Sequence, residues 1–484
     1  MRKPRPPSLF LAWLPIIAMA GALSIGYGRF GLRIEAMLLV SAAVSTGVAL
    51  FCGHSWEAIL QSIVDRFARA LPAVLVLIAV GAVIGSWIVG GTIPLLVSYG
   101  LQIIEPQSIF LTAFIASSVV SLCTGTSWGS AGTIGVAMMG VAINLDVPLA
   151  PVAGAVVSGA YFGDKISPLS DTTNFAPAVC GTTLYPHIRH LLYTTVPGFV
   201  LSAIVFAVYG MMHHATDTDV ASPRVIETLA QLDQIFRLNP ILLLPPALVL
   251  FGAIRGLPAL PLMLGGSVLG VINAILLQGV PLRHALNAMF DGANLAMFAG
   301  PNSPEIYAPE IGKLIERGGM IGMMPTVLLI LCAFAFASPL TLSGALGRVL
   351  ETLVKSVRTV FGLISATITT TLLVVATTAD GKLALLIPGE LFQDAYRRHG
   401  LHLKNLSRTV EDAGTIIEPL IPWTSAGLFM AMTLGVPTLE YLPWAVLCYT
   451  GILFALLYAA TGFGIAKAEG EPALKKLKTE KLKS

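Results

Sequence analysis

Charge is what this chain lacks most. Of its 484 residues only 11% are Asp, Glu, Lys or Arg, against about 25% in an ordinary soluble domain. With 55% of the residues hydrophobic and a mean hydropathy of +0.81, that shortage excludes a water-soluble globule. A net charge of +3, with the basic residues at the ends and in a few loops, excludes a nucleic-acid footprint. Cysteine is scarce as well. Cys52, Cys123, Cys180, Cys332 and Cys448 lie far apart, so no pair has metal or redox spacing and each reads as a small core residue. Enzyme signatures are missing too: there is no phosphate-cradling Gly-rich loop, no Gly-x-Ser-x-Gly and no His-Glu-x-x-His. No polar stretch here is long enough for a nucleotide-hydrolysing domain, which excludes an ATP-driven pump.

What the chain has is apolar runs of membrane-spanning length. Spans fall near 10–27, 34–53, 71–89, 191–211, 238–254, 259–278, 321–338 and 442–464. Arg2, Lys3 and Arg5 precede the first as in a signal peptide. No small-residue cleavage site follows it and more spans do, so it reads as a retained helix. The other tracts are interrupted. Residues 109–142 are broken by a run from Cys123 to Ser130, residues 360–392 by the polar stretch 376–381, and segments 149–186 and 405–436 have polar centres.

The stretch Gly159 to Gly181 carries Asp164, Lys165 and Asp171 beside Ser167, Ser170, Thr172, Thr173 and Asn174. A charged side chain at bilayer depth costs roughly 2.5–3.5 kcal/mol on insertion scales. Unwound backbone is tolerated there only where it is buried in protein or lines a cavity. A discontinuous transmembrane helix satisfies both conditions; the alternative is a wet loop joining two separate helices.

The two halves match at an offset of 251 residues. Ser167-Pro168-Leu169 falls on Glu418-Pro419-Leu420, Gly163 on Gly414, Thr173 on Thr424, Thr126-Ser127 on Thr377-Thr378, and Asp65-Arg66 on Glu316-Arg317. Matches at one offset, each in the same hydropathy context, indicate an internal repeat. Basic residues orient the copies. No Lys or Arg occurs between Arg69 and Lys165, which places both ends of 109–142 outside. The second copy is flanked by Arg348, Lys355 and Arg358, then by Arg397, Arg398, Lys404 and Arg408, which places its ends in the cytoplasm.

The expected architecture is an all-α polytopic membrane protein. It has an inverted repeat of 5+5 transmembrane helices, two opposed re-entrant hairpins (109–142 and 360–392) and two broken helices (149–186 and 405–436). Residues 1–9 form a cytoplasmic N-terminus and 10–212 the first repeat. A polar linker at 213–237 contains Asp217, Asp219, Arg224, Glu227, Asp233 and Arg237. Residues 238–464 form the second repeat, and a basic cytoplasmic tail at 465–484 carries Lys475, Lys476, Lys478, Lys481 and Lys483. This is the build of a secondary transporter, with its substrate site at the midplane between the repeats.

Tips 124–127 and 376–381 and breaks 163–174 and 411–424 should converge there. Oxygen donors suit hard cations, so sodium is the natural ligand of Thr126, Ser127, Thr173, Asn174, Thr377 and Thr378 with freed carbonyls. The alternative for these hydroxyls is that they satisfy backbone carbonyls or pack helices. Among the carboxylates Asp164 and Asp171 come first, Asp380 and Glu418 second, as groups able to hold either a proton or sodium. Asp164 otherwise pairs with Lys165, and Glu411 and Asp412 read as a solvated helix end. Lys165 either balances a carboxylate or meets the carboxylate of an organic acid. His187, Arg189 and His190 read as interfacial anchors, with a pH sensor as the alternative, and Trp128, Trp423 and Trp444 as interface or packing residues rather than substrate platforms. No resident cofactor, catalysis or nucleic-acid partner is expected; the partners are the bilayer, sodium and protons.

The runs Thr124-Gly-Thr-Ser-Trp-Gly-Ser-Ala-Gly-Thr-Ile-Gly135 and Gly159-Ala-Tyr-Phe-Gly-Asp-Lys-Ile-Ser-Pro-Leu-Ser-Asp-Thr-Thr-Asn174 resemble the NhaC family of sodium/proton antiporters, as do His187-Ile-Arg-His190, Ser407 to Thr415, Pro419 to Thr424 and Leu434 to Thr438. The resemblance spans nearly the whole chain apart from the central loop and the tail. It implies a bacterial inner-membrane carrier with opposed hairpins, a dimeric assembly, and sodium extruded against protons. The family also includes carriers exchanging malate for lactate with sodium and protons, so sodium- and proton-coupled organic-acid exchange is the alternative. A passive cation channel is a third reading, disfavoured by inverted repeats.

Overall fold

The structure, a computed structural model, describes residues 4–212, 223–298, 309–355 and 357–468. Arg2 and Lys3, linker residues 213–222 with Asp217 and Asp219, and tail residues Lys475, Lys476, Lys478, Lys481 and Lys483 lie outside the described residues. Among those described, the secondary structure is helical apart from one isolated bridge, Leu401 to Lys467.

Five expected spans are long apolar helices: Leu9–Phe30, Ile34–Phe51, Leu184–Met212, Ala259–Leu276 and Ile321–Leu342. Val360–Thr378, the first arm of the second interrupted tract, is also long enough to cross a membrane. Three further spans are bent pairs: Trp56–Pro72 with Val74–Val89 at 41°, Val225–Ile235 with Pro240–Ile254 at 93°, and Thr438–Trp444 with Val446–Thr461 at 55°. The first bend falls at Pro72, which removes a backbone donor from the helix. Length and composition thus allow six crossings among the described residues, or up to nine if each bent pair is one. The sequence tally of ten counted the two polar-centred segments. Helices Asp171–Cys180, Lys404–Ala413 and Ser425–Leu434 are too short to cross alone. The 18-residue Leu149–Ile166, which carries Asp164 and Lys165, is not among the helices apolar enough to do so. Only 33% of the apolar window of Leu9–Phe30 is buried, leaving Phe10, Ile17 and Ile25 facing outward, as lipid contact requires. The chain is a multi-pass membrane protein.

Part of the polar linker is a helix, Pro223–Ile235. Val225, Thr228, Leu232 and Phe236 recur at helical spacing and bury one stripe against the core. That stripe was hidden by the charged residues between.

The centre is held by small residues rather than by an aqueous hydrophobic effect. Gly159 and Gly163, one turn apart on helix Leu149–Ile166, meet helix Ile109–Thr124 at backbone distance. A Cβ at Gly159 would lie 2.3 Å from the Phe114 carbonyl oxygen, and one at Gly163 would lie 2.2 Å from the Leu122 nitrogen. Ser121 in turn donates from its hydroxyl to the Ala160 carbonyl.

Each half then repeats one local plan. Helix Ile109–Thr124 ends at Gly125 in the left-handed region (φ 67°), and the Thr126 side chain caps the following helix. Helix Val360–Thr378 ends at Ala379, also left-handed (φ 56°), and Asp380 caps Gly381–Arg398 by accepting from the Lys382 and Leu383 N–H groups. After the first break Ser170 caps Asp171–Cys180, which ends at left-handed Gly181. After the second, Thr424 caps Ser425–Leu434, which ends at left-handed Gly435. Gly125 with Ala379, Thr126 with Asp380, Ser170 with Thr424 and Gly181 with Gly435 share a single interval, three residues longer than the offset read from sequence. At that interval Thr126 falls on Asp380 rather than on Thr377. Capping and left-handed backbone set the tips, and the hydropathy match alone was blind to them.

Candidate functional site

Both tips and both breaks meet around one cavity of about 740 Å³. Six of the residues picked from sequence line it: Thr126, Ser127, Asp164, Asp171, Asp380 and Glu418. Tip and break are locked together in the first half, where a Cβ on Gly125 would sit 2.7 Å from the Leu169 carbonyl carbon. In the second half Gly381 packs against Glu418, and a Cβ there would lie 2.3 Å from Oε2.

Asp164 lies in the last turn of helix Leu149–Ile166. Its Oδ2 accepts from the Ser127 hydroxyl at 2.7 Å across the tip. Its Oδ1 is buried and has no hydrogen-bond partner, a costly condition for a carboxylate unless a cation or proton joins it. Glu418 accepts from the Ser425 hydroxyl at 2.9 Å. Asp171 heads the helix after the first break and is more exposed; its Oδ2 lies 2.7 Å from Lys382 Nζ. The lining thus carries four carboxylates, Asp164, Asp171, Asp380 and Glu418, against two cations, Arg69 and Lys382. A concave site with an excess of one sign concentrates ions of the other. The described residues hold no group of three or more His, Cys, Asp or Glu set for a metal ion, so a cation here would take mixed hydroxyl, carbonyl and carboxylate oxygen.

Five predicted residues are placed elsewhere. Thr173 donates to the Asp164 and Lys165 carbonyls at 2.9 and 3.0 Å, and the Asn174 amide donates to Pro168 and Ser170 carbonyls. Thr377 and Thr378 donate one turn back, to the Leu373 and Val374 carbonyls. These four serve backbone carbonyls, the alternative reading of such hydroxyls. Lys165 turns away from the cavity. It pairs with Asp412, not with Asp164, and both side chains are buried, at 2% and 0% exposure.

That pairing corrects a second expectation. Glu411 and Asp412 are not a solvated helix end: both are fully buried in the last turn of Lys404–Ala413. His187 and His190 are likewise buried rather than interfacial. His187 Nδ1 lies 2.8 Å from Ser407 Oγ, and His190 Nε2 lies 3.0 Å from Asn405 Oδ1. The tryptophans do pack: Trp128 stacks on Phe429 with centroids 4.4 Å apart, and Trp423 donates to the Ala376 carbonyl. Sequence reasoning missed Ser425, Lys382 and Tyr161 on the cavity wall. Lys382 had a signal, an unexplained charge one residue past the second tip's turn. Asp412 had one as well, as the only kind of partner a buried Lys165 could accept.

Residues 159–463 match the profile of the Na+/H+ antiporter family. The chain belongs to that family. It is 48% identical to an uncharacterized Na(+)/H(+) antiporter of Haemophilus influenzae, over 96% of this chain and 98% of that protein. It is 36% identical to the Na(+)/H(+) antiporter NhaC of Alkalihalophilus pseudofirmus, over 89% of this chain and 91% of the relative. It is also 33% identical to the malate-2H(+)/Na(+)-lactate antiporter of Bacillus subtilis, over 96% of each. The region matched to the antiporter family contains both breaks and the second tip, and leaves the first tip, 124–127, before its start.

Proposed function

We propose that the protein exchanges sodium for protons through this cavity, extruding sodium from a bacterial cell across the inner membrane. The observation that carries the reading is the unpartnered, buried Oδ1 of Asp164 beside Ser127, in a cavity whose carboxylates outnumber its cations. A sodium ion would satisfy that oxygen, and a proton taken up by the same buried network competes with sodium through its charge. Family membership and the names of the antiporter relatives support the choice of ions.

The recurring tip and break plan supports the finer architecture: two inverted repeats with opposed re-entrant hairpins, five spans in each, and both ends in the cytoplasm. Opposite orientation of the repeats would let the cavity open to either side by rocking one part of the fold against the other. A dimer belongs to the same reading. Organic-acid exchange draws support from the malate-lactate relative. It loses its expected ligand, because Lys165 is held by Asp412.

The test is proton movement into proteoliposomes that contain purified protein and an internal pH dye. Sodium alone should move protons, with malate or lactate adding nothing. A requirement for the organic acid would replace this reading with the second.

A further inference from the structure

Behind the cavity lies a buried acid–base pair that the cation site does not use. Glu411 on helix Lys404–Ala413 and His187 on helix Leu184–Met212 face each other with no exposed surface on either side chain. Glu411 Oε2 and His187 Nε2 are 3.9 Å apart, and neither has a hydrogen-bond partner.

The surrounding bonds suggest an assignment for each atom. With the Ser407 hydroxyl donating to the Lys404 carbonyl at 3.1 Å, its lone pair is free for Nδ1–H of His187 at 2.8 Å, and we assign that tautomer. Neutral imidazole carries one N–H, so Nε2 is then an acceptor. An ionised carboxylate is an acceptor too. Two buried acceptors that face each other repel, whereas one proton between them supplies both with a partner after the atoms close to hydrogen-bonding distance.

We infer that Glu411 and His187 form a proton-binding site, separate from the sodium site at Asp164, and that the proton carried in exchange rides there. The inference rests on the sodium–proton reading above and deepens it. Its wiring to the cavity is short. Thr415 lies in the cavity wall and donates to Glu411 Oε1 at 3.4 Å. Asp164 and Lys165 are consecutive, one facing the cavity and the other held by Asp412 next to Glu411.

The charged and titratable groups around the pair come from every packed element. Helix Leu149–Ile166 brings Lys165 and Asp164, and Glu411's own helix brings Asp412 and Arg408. His190 lies on the helix of His187, Cys180 on Asp171–Cys180, Tyr396 on Gly381–Arg398, and Cys448 and Tyr458 on Val446–Thr461. Lys165 and Arg408 together offset Asp412 and an ionised Glu411. With Asp164 counted, the group carries one negative charge with the proton absent and is neutral with it bound.

The experiment compares two transport modes in the same vesicles: proton movement driven by a sodium gradient, and exchange of radioactive for ordinary sodium without a pH gradient. Glu411→Gln keeps the shape but cannot take or release the proton. We expect it to lose the first mode and retain the second, which also shows that it is folded. Asp164→Asn should lose both. A Glu411→Gln protein that still moves protons, or that loses both modes, overturns the inference. His187→Gln should shift the pH profile of proton movement, and an unshifted profile overturns the pairing. Wild-type protein that exchanges sodium for sodium yet moves no protons would sink the functional reading itself, and this inference with it.

Discussion

Among the described residues two lysine–aspartate pairs join the halves of the chain, and they differ most in their access to water. In each, a lysine of one half meets an aspartate of the other: Lys165 with Asp412, and Lys382 with Asp171. The first is sealed in protein, while the lysine and aspartate of the second are 60% and 69% exposed. A buried pair is costly to break, because the partner left behind is an uncompensated charge. An exposed pair is screened and weak. The two contacts therefore suit different tasks. Lys165–Asp412 is a sealed joint between helices Leu149–Ile166 and Lys404–Ala413, and Lys382–Asp171 is an exposed contact at the cavity wall.

The sharpest way to break this comparison is to remove one charge from the joint. Asp412→Asn should destabilise the protein by about 3–5 kcal/mol, read as a fall in thermal unfolding temperature in detergent. Lys165→Met combined with Asp412→Leu should be more stable than either single change. If Asp412→Asn melts like wild type, the joint is not one.

The tips come next in size. Gly125→Ala places a side chain in the left-handed region and against Leu169, with an expected loss of about 1–2 kcal/mol from backbone strain alone. Its counterpart should change in the opposite direction. Ala379 already bears that strain at φ 56°, so Ala379→Gly relieves it and should be neutral or raise the unfolding temperature slightly, the gain offset in part by unfolded-chain entropy. Opposite signs at these two positions would confirm that the tips are counterparts. Like signs would undo the register.

The smallest expected effect is at the exposed pair. Asp171→Asn should cost at most about 1 kcal/mol of stability, and any change in apparent sodium affinity should shrink as ionic strength rises. A loss comparable to that of Asp412→Asn would erase the difference between the two contacts.

Much of this was legible in the residues. Hydropathy placed the long apolar helices, because lipid exposure demands them. The polar run from Asp164 to Asn174 announced the first break, since such residues need a partner at depth. What stayed hidden was direction. Asp164 and Lys165 are neighbours in sequence, and only the helical turn sends one to the cavity and the other to Asp412. Thr173 and Thr377 share the chemistry of Ser127, yet their hydroxyls serve carbonyls of the helices that end beside them. The burial of Glu411 and His187 was invisible for a related reason. Their partners lie across the fold, and a charged residue after Arg408 reads as a wet helix end until a neighbouring helix closes over it.

The most direct test of the central claim is equilibrium binding of radioactive sodium to purified protein, wild type against Asp164→Asn, at two pH values. Wild type should bind sodium, and less of it at the lower pH as protons compete. Asp164→Asn should bind none above background while keeping its unfolding temperature. Undiminished binding by Asp164→Asn would contradict the assignment of the site.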